Sequence, residues 1–225
     1  GKKHNNSYTS FPKKISKNIY FFNCIFINHL EANEFIRKTK SIIAKFFIDV
    51  EFKNHLFKWQ KIIKHNNDIR FYKIEPNNIT VNSIINLVTK KEASTVLMIG
   101  SGNIALATCT RLKLMNWHFD WFSNKSRTSL TKTLMENAFG ENYNKITKCF
   151  DYIINTVPID LKIDFNNYSN KNTLFIEVTG NSLEYLNDLN CEKIRLDTTN
   201  DMIAEIVKII YLQENNLIYG RKKIG

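Results

Sequence analysis

From residue 95 onward, short apolar segments alternate with segments of helical pattern, and this alternation limits the fold more than any other feature of the chain. Five segments are typical of buried strands: "TVLMIG" (95–100), "HFDWFS" (118–123), "DYIINTV" (151–157), "TLFIEVT" (173–179) and "EKIRLD" (192–197). Helices are predicted over 103–115, 129–139 and 200–215, a short turn over 182–187, and a further short strand over 143–148. The alternation predicts βαβ units, a parallel sheet and an α/β fold.

The preceding part of the chain predicts a smaller α/β lobe. Strands are expected over 18–28 and 69–75, helices over 30–47, 51–66 and 80–91, with Pro76 ending the second strand and Thr80 as a helix N-cap. The basic, polar start is interpreted as a frayed end rather than a signal peptide. We therefore expect three parts: a flexible basic N-terminus (1–17), a small lobe for substrate binding or dimerisation (18–93), and a sheet domain with a C-terminal helix (94–225).

Composition narrows the classes of function. Hydrophobic residues make up 43% of the 225 residues and charged residues 24%, as in a globular protein, and no apolar run reaches the roughly 18 residues that span a membrane. The net charge of +11 is compatible with nucleic-acid binding, but the excess is spread along a sequence biased toward Lys, Asn, Ile and Phe. The scattered cysteines (Cys24, Cys109, Cys149 and Cys191) form no CxxC pair. They indicate a cytoplasmic protein without a metal site.

Two of only seven glycines, Gly100 and Gly102, flank a single serine directly after the apolar run 95–99. The segment from Gly100 through Ser101, Gly102, Asn103 and Ile104 to Ala105 is a G-x-G-x-x-A pattern at a predicted strand-to-helix turn. In such a turn the first glycine permits the tight bend, and the second lets the backbone approach a pyrophosphate at the helix N-terminus. The pattern predicts a dinucleotide site, and a glycine turn that packs without a ligand is the alternative.

The end of the next strand indicates which dinucleotide is preferred. An acidic residue there would accept from a ribose 2′-OH, but Asp120 comes two residues too early. The residues that follow the strand are instead polar or basic: Asn124, Lys125, Ser126 and Arg127. These groups suit a 2′-phosphate and favour NADP, with NAD as the second choice. The alternative is a solvated loop in a basic protein.

Three segments together resemble the NADP-binding half of shikimate dehydrogenases and their relatives, which include glutamyl-tRNA reductase and ornithine cyclodeaminase-like Rossmann domains. They are "VLMIGSGNIALATCTRL", "FDWFSNKSRTSLTKTLMENAFG" and "FDYIINTVP". The likeness covers about residues 94–200 and implies a Rossmann-like parallel-sheet domain preceded by the smaller α/β lobe. In that family the second strand typically ends in Asn-Arg-Thr, where the arginine binds the 2′-phosphate, and the matching positions here are Asn124, Lys125 and Ser126.

The resemblance also implies positions near the nicotinamide. The family's D-x-x-I-N-x-x-P segment passes beside the nicotinamide ribose, and it matches Asp151 and Ile154 followed by Asn155, Thr156, Val157 and Pro158. The end of the next strand, from Glu177 through Thr179 to Gly180, would approach the nicotinamide itself.

The family's catalytic pair cannot be carried over, because "NNITVNSI" lacks the Pro and Lys of the family motif. The catalytic residues are therefore unknown. Asp197, Lys73 and Gln213 are candidates, although an Asp before a helix is more often a cap, and a residue such as Gln213 more often packs in the core or lies on the surface.

These observations favour an NADP-dependent oxidoreductase acting on a small carbonyl, imine or amino-acid-like substrate, with no membrane partner and with a homodimer left open. Three alternatives stay open. One is a Rossmann module that binds a nucleotide without chemistry. Another is a cyclodeaminase or lyase that retains its cofactor, and the third, motivated by charge alone, is a nucleic-acid-binding protein.

Overall fold

A computed structural model describes residues 13–16, 19–21, 29–40, 46–49, 71–89, 95–123, 129–140, 148–157, 163–179 and 183–221. The described residues up to Pro76, together with those from Thr199 onward, form one compact unit, and those within Asn77–Thr198 form a second. The predicted strand over 143–148 and helix over 51–66 lie almost wholly or wholly outside the described residues.

The second unit is built on a five-stranded sheet in which every strand pairing is parallel. Its strands are β5 (Thr95–Ile99), β6 (His118–Phe122), β7 (Tyr152–Asn155), β8 (Leu174–Glu177) and β9 (Glu192–Arg195), in the spatial order β6-β5-β7-β8-β9. Three helices belong with it: α2 (Pro76–Val88), α3 (Asn103–Leu114) and α4 (Leu130–Phe139). The predicted α/β class and the Rossmann-like parallel sheet are thereby confirmed.

Alternate residues of the central strands pack on opposite faces of this sheet. Val96 and Met98 lie in a core with the helix residues Cys109, Leu112 and Met135. Leu97 and Ile99 lie in a second core, on which two short 3₁₀ helices pack (Phe165–Asn167 and Leu183–Leu186). A strand buried on both faces needs a continuous apolar run, which is why "TVLMI" and "YIIN" were recognisable as strands.

Helix α2 begins four residues earlier than predicted. Thr80 was expected as its N-cap, but the helix starts at Pro76, and Thr80 lies one turn inside. Proline suits a first helical position because its φ is preset and the N–H that it lacks has no partner there. The same residue therefore comes after the strand Phe71–Ile74 and opens α2.

In the first unit, β1 (Lys13–Ser16) and β2 (Ile19–Phe21) pair antiparallel, while β3 (Phe46–Asp49) and β4 (Phe71–Ile74) pair parallel. Helix α1 spans His29–Thr39 and α5 spans Thr199–Arg221. Two expectations were wrong here. Strand β1 lies in the segment expected to be frayed, and Phe46 and Phe47 belong to a strand rather than to the end of a helix over 30–47, because an aromatic, β-branched run suits a paired strand.

None of the helices among the described residues is both long enough and apolar enough to cross a membrane.

Candidate functional site

The connections of the sheet reverse direction between β5 and β7. Strand β6 follows β5 on one side, whereas β7, β8 and β9 continue on the other. In open parallel sheets ligands bind beyond the carboxyl ends of the strands at such a switch point. Gly100 follows β5 and Thr156 follows β7, so the predicted glycine turn lies at this point of the fold.

Gly100 is required by the backbone and by packing. Its φ is +122°, a conformation that L side chains rarely adopt. A Cβ here would also collide with Thr156 Oγ1 and lie 2.9 Å from Val157 Cγ2. Thr156 is held in place because its hydroxyl donates to the Ile99 carbonyl over 2.8 Å. The first glycine therefore lets the segment after β7 pack closely against the turn.

Gly102 has an ordinary backbone conformation and open space beside it. Its φ and ψ are −83° and −177°, and a Cβ here would meet no atom of the described residues within 4 Å. It is the N-cap residue of α3, and no side chain in the described part of the chain caps that helix. In contrast, the Ser129 hydroxyl caps α4 by accepting from the Lys132 amide over 3.2 Å. The start of α3 thus combines room with amide groups that suit an anion.

The predicted 2′-phosphate residues Asn124, Lys125, Ser126 and Arg127 lie outside the described residues. Asp120 is placed within β6 opposite Leu97, and its carboxylate pairs with the Lys148 ammonium at 2.8 Å. Its distance from the end of the strand agrees with the expectation that it comes too early for a ribose.

A lysine that the sequence pattern did not single out lies just beyond that segment. Lys132, in the first turn of α4, is only 8% exposed, and its ammonium is 3.8 Å from the Glu136 carboxylate. It adds a positive charge to the helix that follows β6.

Asp151, the first residue of the D-x-x-I-N segment, lies at the opposite end of the sheet. Its carboxylate accepts from the Thr95 amide at 2.8 Å and from the Thr95 hydroxyl at 2.9 Å. It therefore joins the amino ends of β5 and β7, away from the carboxyl edge where the site is expected.

A fully buried carboxylate lies at the carboxyl edge, on the last residue of β8. Glu177 is 0% exposed. It accepts from Asn155 Nδ2 at 2.8 Å, from the Thr179 amide at 2.8 Å, and from the hydroxyls of Thr179 and Tyr185. Four donors compensate the cost of burying this group. We call Asn155, Glu177, Thr179 and Tyr185 the Glu177 cluster.

Asn155 connects the cluster to the segment after β7. Its Nδ2 also donates to the Val157 carbonyl at 3.2 Å, and its Oδ1 accepts from the Val157 amide at 3.1 Å. The side chain of Val157 lies beside Gly100, so Val157 links the Glu177 cluster to the glycine turn.

Tyr185 is oriented unusually for a surface tyrosine. The residue is 49% exposed, yet its hydroxyl donates to the buried Glu177 carboxylate and lies 3.2 Å from Asn155 Nδ2. Burial of the hydroxyl raises the pKa of Tyr185, and the neighbouring Glu177 raises it further. Its ring packs edge-to-face on Phe175, with centroids 6.5 Å apart. The sequence pattern missed this residue because its only local signal was a short turn.

The remaining predicted residues are dispersed or outside the described chain. Pro158 and Gly180 are not described. Asp197 follows β9 and is exposed, whereas Lys73 lies on β4 and Gln213 on α5, both in the first unit. Across the described ranges, no group of three or more His, Cys, Asp or Glu side chains could hold a metal ion.

No protein-family model matches this sequence, and no curated protein matches it. The solved structures that are similar in part include the following two. One is described as an enoyl reductase domain of a polyketide synthase, with 11% identity, 64% of this chain and 91% of that chain covered, and a TM-score of 0.40. The other is an NADPH-dependent glyoxylate/hydroxypyruvate reductase from Sinorhizobium meliloti, with 12% identity, coverage of 61% and 81%, and a TM-score of 0.31. Likenesses at this level carry no argument about activity.

Proposed function

We propose that the protein is an NADP-dependent oxidoreductase that acts on a small carbonyl, imine or amino-acid-like metabolite. The observation that carries the proposal is the open space beside Gly102 at the uncapped start of α3, next to the reversal between β5 and β7. A diphosphate there would meet backbone N–H groups and the positive end of the helix dipole.

The residues of this chain would bind and orient the cofactor, which supplies the hydride chemistry when bound. The turn Gly100–Ser101–Gly102, with Asn103 and Ile104, would hold the diphosphate. Asn155, Thr156 and Val157 would lie beside the half of the dinucleotide that extends toward β7 and β8, together with Pro158, Thr179 and Gly180. Asp197, Lys73 and Gln213 remain the proposed sources of a catalytic group.

The preference for NADP over NAD rests on the sequence after β6. Asn124, Lys125, Ser126 and Arg127 would contact the 2′-phosphate, and Lys132 contributes charge in the next helix. The position of Asp120 supports this, because it lies within β6, two residues before the last residue of the strand, and an acidic residue that binds a ribose 2′-OH is expected at the strand end.

The test is a calorimetric titration of the purified protein with NADPH and with NADH, run on wild type and on Gly102→Ser. Wild type is expected to bind NADPH more tightly than NADH. Serine fits the open space and adds a hydroxyl that caps α3, so Gly102→Ser should unfold at a higher temperature than wild type. It should bind NADPH at least tenfold more weakly, because its side chain occupies the diphosphate position.

Opposite changes in stability and affinity are the discriminating result, since general damage lowers both. Absence of binding by wild type at millimolar NADPH and NADH would contradict the proposal. Equal NADPH affinity in Gly102→Ser and wild type would contradict the assigned diphosphate position. A steep salt dependence of binding to DNA or RNA, without NADPH binding, would favour the nucleic-acid alternative instead.

A further inference from the structure

In the Glu177 cluster the carboxylate oxygens are all engaged by donors, and Tyr185 is the half-exposed member. The Glu177 carboxylate is engaged by four donors and is not exposed. The Tyr185 hydroxyl is directed into the cluster, while half of the residue is exposed. What the cluster presents at the carboxyl edge is therefore an aromatic ring, fixed at its polar end.

In this arrangement the Tyr185 ring can contact a ligand, but the Tyr185 hydroxyl is poorly suited to donate a proton to it. The Tyr185 hydroxyl already donates to Glu177, and both burial and the carboxylate raise the pKa of the phenol. A tyrosine in that state is a poor proton donor at neutral pH. Its ring, in contrast, is held at one end by the hydroxyl and supported on one side by Phe175.

We propose that the Tyr185 ring is the contact surface for the planar nicotinamide ring of the bound cofactor, and that Glu177 and Asn155 are positioning residues that fix it there. This inference rests on the proposed function. A dinucleotide that places its diphosphate at the β5–α3 turn extends one nucleotide toward β6 and the other toward β7 and β8. Tyr185 contacts the last residues of β7 and β8, which lie on the other side of β5 from β6.

The experiment compares two ligands and two variants. The ligands are NADPH and 2′-phospho-ADP-ribose, which lacks the nicotinamide. The variants are Tyr185→Leu, which removes both ring and hydroxyl, and its matched control Tyr185→Phe, which removes the hydroxyl alone. Affinities are measured by calorimetry, and stabilities by thermal unfolding without ligand.

If the ring contacts the nicotinamide, Tyr185→Leu should weaken NADPH binding by about three- to tenfold, the range expected for an aromatic pair. It should leave 2′-phospho-ADP-ribose within twofold of wild type. Tyr185→Phe should lose less NADPH affinity than Tyr185→Leu although both variants lose the Glu177 hydrogen bond. A purely structural role would change the two ligands equally.

Equal weakening of both ligands, or unchanged NADPH affinity in Tyr185→Leu, would overturn the inference while leaving the proposed function intact. Failure of wild type to bind either ligand would overturn both together. Two variants check the positioning role. Asn155→Asp replaces the amide donor by a carboxylate, which then faces the Glu177 carboxylate. Asn155→Asp combined with Glu177→Gln puts an amide donor at position 177 and so restores a donor–acceptor pair. The double variant should regain NADPH affinity relative to Asn155→Asp, and failure to regain any would contradict the positioning role.

Discussion

At the scale of single residues, glycine occupies positions 100 and 102 for two different reasons. Gly100 has a positive φ and is packed by Thr156 and Val157, so any side chain would strain the protein without a ligand. Gly102 has neither constraint, and the space beside it is open. A glycine that neither backbone conformation nor packing requires is the better indicator of a binding site.

The buried hydroxyl of Tyr185 gives the stability of the protein a dependence on alkaline pH. The pKa of Tyr185 is raised in the folded protein above the unfolded value of about 10, so the folded state holds the proton more tightly. The resulting contribution is complete below about pH 10 and is lost as the pH rises toward the folded pKa.

We therefore expect the free energy of unfolding of wild type to fall more steeply above about pH 10 than that of Tyr185→Phe, as measured by urea denaturation. Burial also raises the pKa of Cys109, which adds a slope of the same sign to both proteins, so the difference between them isolates the tyrosine. Parallel curves for the two proteins would show that Tyr185 does not hold its proton in this way.

At the scale of elements, the two ends of β5 and β7 have separate tasks. Asp151 joins their amino ends through Thr95, while Gly100 and Thr156 meet at their carboxyl ends. Asp151→Ala should lower the free energy of unfolding by about 1–2 kcal/mol, because two hydrogen bonds to a carboxylate are lost near the surface. It should leave NADPH affinity within twofold.

That combination of results is checked by denaturation and titration of the same preparation. Reduced NADPH affinity in Asp151→Ala, at a temperature where the variant is fully folded, would place Asp151 in the site rather than at the opposite edge.

How well each element could be predicted follows from where its stabilising contacts lie. Strands β5, β7 and β8 were recognisable because burial on both faces requires unbroken apolar runs. The start of α2 was missed because Pro76 both follows a strand and opens a helix. The nearby Thr80 is also of a residue type that is common at helix N-caps. Strand β3 was missed because its partner, β4, lies more than 20 residues away in the sequence, and Phe46 and Phe47 also fit a helix face.

The site divides in the same way. The glycine turn is a local sequence pattern, and Asn155 belongs to a segment that carries the family resemblance; both stay predictions as cofactor contacts. Tyr185 could not be predicted as a site residue, because it joins the site through a hydrogen bond to Glu177, which lies eight residues earlier on a different element. The spacing of apolar residues in the sequence does not indicate such a contact.

At the scale of the whole molecule, the described chain separates into two compact units, and the five-stranded parallel sheet belongs entirely to the second. The residues from Thr199 onward group with the first unit, although they follow β9 directly in the sequence. The proposed cofactor contacts lie in the second unit or outside the described residues, whereas Lys73 and Gln213 lie in the first unit. Two of the three candidate catalytic residues therefore belong to a different unit from the glycine turn.

We expect a bound dinucleotide to place its diphosphate at the start of α3. A titration of the ¹⁵N-labelled protein with NADPH, followed by backbone amide chemical shifts, measures that position. The amides of Ser101, Gly102, Asn103 and Ile104 are expected to shift most strongly and to saturate together. Amides at the amino ends of the strands, including Thr95 and Asp151, should change little. Saturable NADPH binding that leaves the amides of 101–104 unshifted would contradict the account.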